Sequence, residues 1–142
     1  MDNKGAFLFS LFACIMVFAG CGDRHCKAID SAYAIVNDSP DSALSILNHL
    51  NEHRLANSEK ARYALVYTMA QDKSGLDVDN DSLLRTAYTY YSAKPSDTLY
   101  AKCQYYMGKY YMLNDSLEKA LPCFQHSVTA ARKTMDYLGN FS

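Results

Sequence analysis

An all-α fold of about three antiparallel helix pairs is what the sequence predicts, on three observations. Apolar residues recur at helical spacing through six segments, which turns one side of each helix inward. No segment alternates apolar and polar residues as a half-buried strand does. Between Ala101 and Ser127, Gly108 sits mid-helix and is followed by Tyr111, Ala120 and Phe124. A glycine there costs about 1 kcal/mol relative to alanine, a cost that makes sense where a second helix leaves no room for a side chain. Ala120 is the expected small residue opposite, with Tyr111 and Phe124 filling the space around the contact.

The elements follow in order. Gly5 to Gly20 is an uncharged apolar run of 16 residues after Lys4, the length of a signal-peptide core and short of the roughly 20 residues a membrane span needs. Residues 21–27 (CGDRHCK) read as a polar tether. Ala28 to Val36 carries Ile29, Ala32, Tyr33 and Val36 at helical spacing. Ser39 before Pro40 reads as an N-cap with proline at the first helical position. The helix it opens turns Ala43, Leu44, Leu47 and Leu50 inward and ends near His53. Ser58 is the expected cap of a helix to about Lys73. Residues 74–80 (SGLDVDN) are a loop, and Asn80 or Asp81 caps a helix from Ser82 to about Ala93. The last pair runs from about Asp97 to Leu113 and from Ser116 to about Lys133, and a further helix is expected to start at Thr134.

Asp41-Ser42, Asp81-Ser82 and Asp115-Ser116 each open the second helix of a pair, where Asp or Ser caps exposed N–H groups. Aligned on Ala43, Leu83 and Ala120, the pairs repeat every 40 and 37 residues, and Ala64 and Tyr67 echo Gly108 and Tyr111.

Composition narrows the function classes. Fourteen Lys and Arg against 15 Asp and Glu give a net charge of −1. No basic stripe supports nucleic-acid binding, and none is expected. Of the five cysteines, no two form a CxxC pair. In an antiparallel hairpin Cys103 faces about residue 127, so a bond to Cys123 is awkward and both read as small core residues. Asp77, Asp79 and Asp81 open like a calcium loop, but Ser82 and Tyr88 stand where Gly and Glu are required. His49 and His53 have the spacing of two zinc ligands on a helix but no third ligand, and read as a solvated helix end. No nucleophile–base pair, phosphate loop or carboxylate dyad is present. The chain is therefore not expected to be an enzyme, and no cofactor or metal is expected.

The residues of the last pair resemble the tetratricopeptide repeat (TPR), whose pattern is W-x2-L-G-x2-Y, A-x3-F and P over about 34 residues. Gly108, Tyr111, Ala120 and Phe124 match; Met107 stands for Leu, Gln104 for Trp and Arg132 for Pro. The resemblance implies a TPR-like α-solenoid over residues 28–142 with its last repeat incomplete. It places Lys102, Tyr105, Lys109 and Met112 on a concave face that would hold a protein or peptide. Phe18-Ala19-Gly20-Cys21 resembles the bacterial lipobox, with residues 1–20 as the signal peptide and Cys21 as the lipid-bearing residue. Together these resemble TPR lipoproteins of Gram-negative bacteria. What that implies is a scaffold in the cell envelope, held to a membrane by its lipid and facing the periplasm or the cell surface. An alternative expectation is the periplasmic sensor half of a truncated TPR signalling or transcriptional-regulator protein, because the chain stops inside what reads as the next repeat.

Overall fold

The computed structural model describes residues 24–76 and 81–139, and over these the chain is all helical. Helix α1 takes in residues 24–35 of those described, α2 Pro40–Asn48, α3 Asn57–Lys73, α4 Asp81–Ser92, α5 Tyr100–Leu113 and α6 Leu117–Gly139, with a 3₁₀ turn at Glu52–Arg54. Each helix from α2 onward packs on the next in chain order, and α3 also meets α5.

The cross-helix bonds fix the directions. Ser74 Oγ donates to Asp41 at 2.6 Å and Tyr67 Oη to Asn48 at 3.1 Å, so α3 runs antiparallel to α2. Ser127 Oγ donates to the Ala101 carbonyl at 2.8 Å while Phe124 lies on Gly108, so α6 runs antiparallel to α5. Cys26 Sγ reaches Glu59 at 3.3 Å and Arg62 pairs with Asp30 at 2.6 Å, which sets α1 parallel to α3. Helix α3 is the centre of the core. Ala61, Ala64, Leu65, Val66 and Ala70 are fully shielded there, and Tyr63, Thr68 and Met69 are nearly so.

Gly108 meets its expected close contact, and the structure names the neighbour. A Cβ at Gly108 would lie 2.8 Å from Phe124 Cε1 and 2.9 Å from Cδ1, so the phenylalanine ring itself fills the glycine's place. Cys103 and Cys123 are both buried and unbonded, on facing helices. Met107, the leucine position of the resemblance, is 1 % exposed.

Several boundaries differ from expectation, each for a local reason. Residues 24–27 of the polar stretch are helical, part of α1, and Cys26 is docked on α3. Helix α2 stops at Asn48, which takes His49 and His53 off one continuous helix and removes their ligand-like spacing. Ala56, not Ser58, occupies the N-cap of α3, and Glu59 accepts the Ala56 N–H at 2.8 Å. Helix α5 starts at Tyr100, because Asp97 Oδ1 takes the Leu99 N–H at 2.9 Å and holds a turn there. No new helix starts at Thr134: α6 continues unbroken to Gly139, and Thr134 Oγ1 bonds back to Ala130 within it. Arg132, unlike the proline of the TPR pattern, gives the chain no reason to break.

The Asp-Ser turns also make contacts beyond their own helices. Ser39 holds the N-cap position of α2 but its hydroxyl makes no cap bond. Asp41 instead accepts from Ser74, and Asp81 pairs with Arg85 and accepts from Tyr110 Oη at 3.2 Å. Asp115 lies in the left-handed region (φ 53°) and closes α5: Ser116 N–H reaches the Tyr111 carbonyl and Asp115 N–H that of Met112. Gly75 (φ 71°) closes α3 by the same pair of bonds, so both first helices of their pairs end in a Schellman turn.

Burial also corrects the repeat alignment. Leu83 is half-buried, whereas Ala87 is fully shielded, as Ala43 is, with Ala120 at 2 %. Each alanine is followed four residues later by a large side chain packed inward: Leu47, Tyr91 and Phe124. The true spacing of the second helices is therefore 44 and 33 residues.

Candidate functional site

Helix α5 projects Lys102, Tyr105, Lys109 and Met112 along one face, as spacings of three and four residues require. The structure divides them. Lys102 and Tyr105 open into a groove of about 410 Å³, while Lys109 and Met112 lie outside its lining. Lys109 is engaged across the helix interface, where its ammonium pairs with Asp72 on α3. Met112 is 43 % exposed and Tyr105 46 %.

The groove is built from four parts of the chain. Asn37 comes from the turn after α1, and Met69 and Lys73 come from α3. Thr98 precedes α5, which supplies its first two turns, and Ser127, Ala131, Thr134 and Met135 come from α6. Tyr105 stands edge-on to Tyr106 at 5.2 Å between centroids and leans on Phe124 at 6.1 Å. Tyr106 forms the floor; burial first, then the nearby Asp72, pushes its hydroxyl up to about 12 and keeps it neutral. Among the described residues no carboxylate lines the groove, and Lys73 and Lys102 give it positive charge. Such a lining offers ring and apolar contact at Tyr105 and positive charge at the two lysines.

Sequence reasoning missed Lys73, Ala131 and Met135. The Thr134 and Met135 contribution was hidden because residues from 134 on read as a separate helix. A second cleft of about 340 Å³ lies between Tyr33, Arg62, Tyr90, Tyr91 and Asp97. There the Arg62 guanidinium lies 5.7 Å from the Tyr33 ring centre and its Nε is buried without a hydrogen-bond acceptor. Burial raises the Tyr91 hydroxyl strongly, with Asp97 adding to it.

Among the described residues no group of three or more His, Cys, Asp or Glu side chains is placed to hold a metal ion. The calcium-like acids Asp77 and Asp79 lie outside the described residues, and so does Cys21. No helix among the described residues is long and apolar enough to cross a membrane. Burial pushes the Cys103 thiol up to about 12, with Cys123 adding to it, which makes Cys103 a poor nucleophile. No known protein family, curated protein or solved structure matches the chain.

Proposed function

We propose that the chain is a TPR-like α-solenoid scaffold that binds a protein or peptide segment and performs no catalysis. The supporting observation is the α3–α5–α6 groove, open along one side, aromatic at its centre and bordered by Lys73 and Lys102. The helix order supports the solenoid reading: consecutive helices pack antiparallel, and the first helices of successive pairs run side by side. In this reading Tyr105 and Lys102 make the contact, and Lys109 sets the spacing of α5 on α3 through Asp72. The Phe-Ala-Gly-Cys sequence ending at Cys21 supports attachment of the scaffold to a membrane of the cell envelope through lipid on that cysteine.

Two experiments test this. A photo-crosslinking phenylalanine analogue in place of Tyr105 should give discrete protein adducts in cells, lost when Lys102→Glu is added. Adducts no different from those of the same analogue at Tyr88 would overturn the groove. For the anchor, fatty-acid label should be incorporated by the native chain and absent from Cys21→Ser.

A further inference from the structure

Helix α6 carries a second face that nothing among the described residues covers. Leu117, Leu121, Phe124, Val128, Ala131 and Met135 follow one another at alternating spacings of four and three residues. On a helix turning about 100° per residue they fall within an arc of about 80°. Leu117 is 67 % exposed, Leu121 60 %, Val128 51 % and Met135 72 %. Phe124 is half-buried, its ring lying on Gly108 of α5. The positions of α2 and α4 that match Leu117 and Leu121 are wholly or partly covered. Counting from the shielded alanines, Leu84 stands where Leu117 stands and is fully shielded, and Leu44 and Tyr88 stand where Leu121 stands and pack on the core. Their cover is the following helix, α3 on α2 and α5 on α4, each running antiparallel to the helix it covers.

The alternation of four and three is the seam pattern by which one helix packs on another over its whole length. Laid antiparallel on itself about a twofold axis near residue 126, α6 is self-complementary. Leu117 then meets Met135 of the second copy, Leu121 meets Ala131, and Phe124 meets Val128. The polar positions beside the seam fit the same arrangement. Glu118, Gln125 and Arg132 are exposed and seven residues apart on the side away from α5. In the antiparallel register Glu118 faces Arg132 of the second copy, and Gln125 faces its own counterpart on the axis. Opposite charges meet at both ends; a parallel pairing would instead set each charge at the level of its own like.

We propose that this face of α6 is the interface between two copies of the chain, paired antiparallel with α6 of one copy taking on the other the position that α3 takes on α2. The inference stands apart from the groove reading. Only Ala131 and Met135 belong to both surfaces, and pairing would bring the second copy to the α6 edge of the groove.

The test is sedimentation equilibrium of the full chain in detergent, from about 5 to about 200 µM, with helicity followed by circular dichroism. The native chain should be a dimer at the upper end. Leu121→Glu with Val128→Glu should raise the dissociation constant at least about a hundredfold, with helicity unchanged because both side chains are already exposed. Glu118→Arg alone and Arg132→Glu alone each turn two attractive pairs repulsive and should each raise it about tenfold. The combined reversal should return it to within about twofold of native, because it restores opposite charges in the same register. A native chain that stays monomeric throughout overturns the proposal. A dimer indifferent to the two seam glutamates overturns it as well, and so does one that the combined reversal fails to restore.

Discussion

The contact between Gly108 and Phe124 can be tested through a change of sign. In Gly108→Ala the new Cβ would lie 2.8, 2.9 and 3.1 Å from three atoms of the Phe124 ring. Ordinary carbon contacts are about 3.5–4.0 Å, so the ring must retreat by about 0.7 Å. Its retreat is opposed on one side by Tyr105, whose ring centre is 6.1 Å away. Overpacking of this kind costs about 1–3 kcal/mol. Alanine in place of glycine inside a helix gives back about 1 kcal/mol, so the net change should lie between about 0 and 2 kcal/mol of destabilisation. In a Phe124→Ala background nothing opposes the methyl group, and the same substitution should stabilise by about 1 kcal/mol. The two backgrounds should therefore differ by about 1–3 kcal/mol in urea-unfolding free energies followed at the helix band. Equal effects in both backgrounds, within about 0.5 kcal/mol, would refute the argument that the ring is why position 108 is glycine.

Four further outcomes follow from single positions. Asp115→Gly should stabilise the chain by about 0.5–1 kcal/mol in urea unfolding, because φ 53° suits glycine and Gly75 already serves the equivalent turn. Pro122→Ala should raise the melting temperature by restoring the N–H that the carbonyl of Glu118 lacks inside α6, worth about 1–3 kcal/mol. At pH 8, thiol labelling of the folded chain should modify exposed Cys26 and spare Cys103; a rise from 9.0 to about 12 lowers the Cys103 thiolate fraction about a thousandfold. Alkali should unfold the chain through Tyr63 and Tyr106, which burial raises from 10.0 to about 12. Their neutral forms are favoured in the folded state, so the stability they lend is intact below about pH 10 and lost as pH rises toward 12. Urea unfolding at pH 9 and 11.5 should show the drop, reduced in Tyr63→Phe.

Much of the fold was legible because a helix buried on one side repeats its apolar residues every 3.6 positions, as α2, α4 and α6 do, whereas α3 is buried on nearly every side and carries that signal weakly. The Gly108 contact was legible because a mid-helix glycine is costly and so marks a neighbour. What was not legible depends on partners distant in sequence. Asp41 and Asp81 look like caps, and any Asp before a helix does, but their carboxylates bond Ser74 and Tyr110 on another helix. Lys109 looks like a groove residue by its place on α5, but Asp72, 37 residues earlier, holds it. The α6 side of the groove was hidden by a different cause. An end to the helix was expected near residue 133, yet nothing from Lys133 to Gly139 stops one: there is no proline, and Gly139 is the first glycine after Gly108.

The same arithmetic that predicts a buried face cannot say what buries it, and α6 shows the consequence. Asp41 on α2 holds Ser74 at the end of α3, and Asp81 on α4 holds Tyr110 on α5, so each pair is bonded to the pair that follows it. Such head-to-tail contacts have no natural end, because each added pair presents the same face again. Leu117, Leu121, Val128 and Met135 are that face on α6, and leaving them in water forgoes about 25 cal/mol for every square ångström of apolar surface that could be covered. Helix α6 keeps the face and spaces it in a seam that fits its own reverse, with Glu118 and Arg132 placed to meet across it. A twofold contact uses up both copies' exposed faces at once and leaves none to propagate.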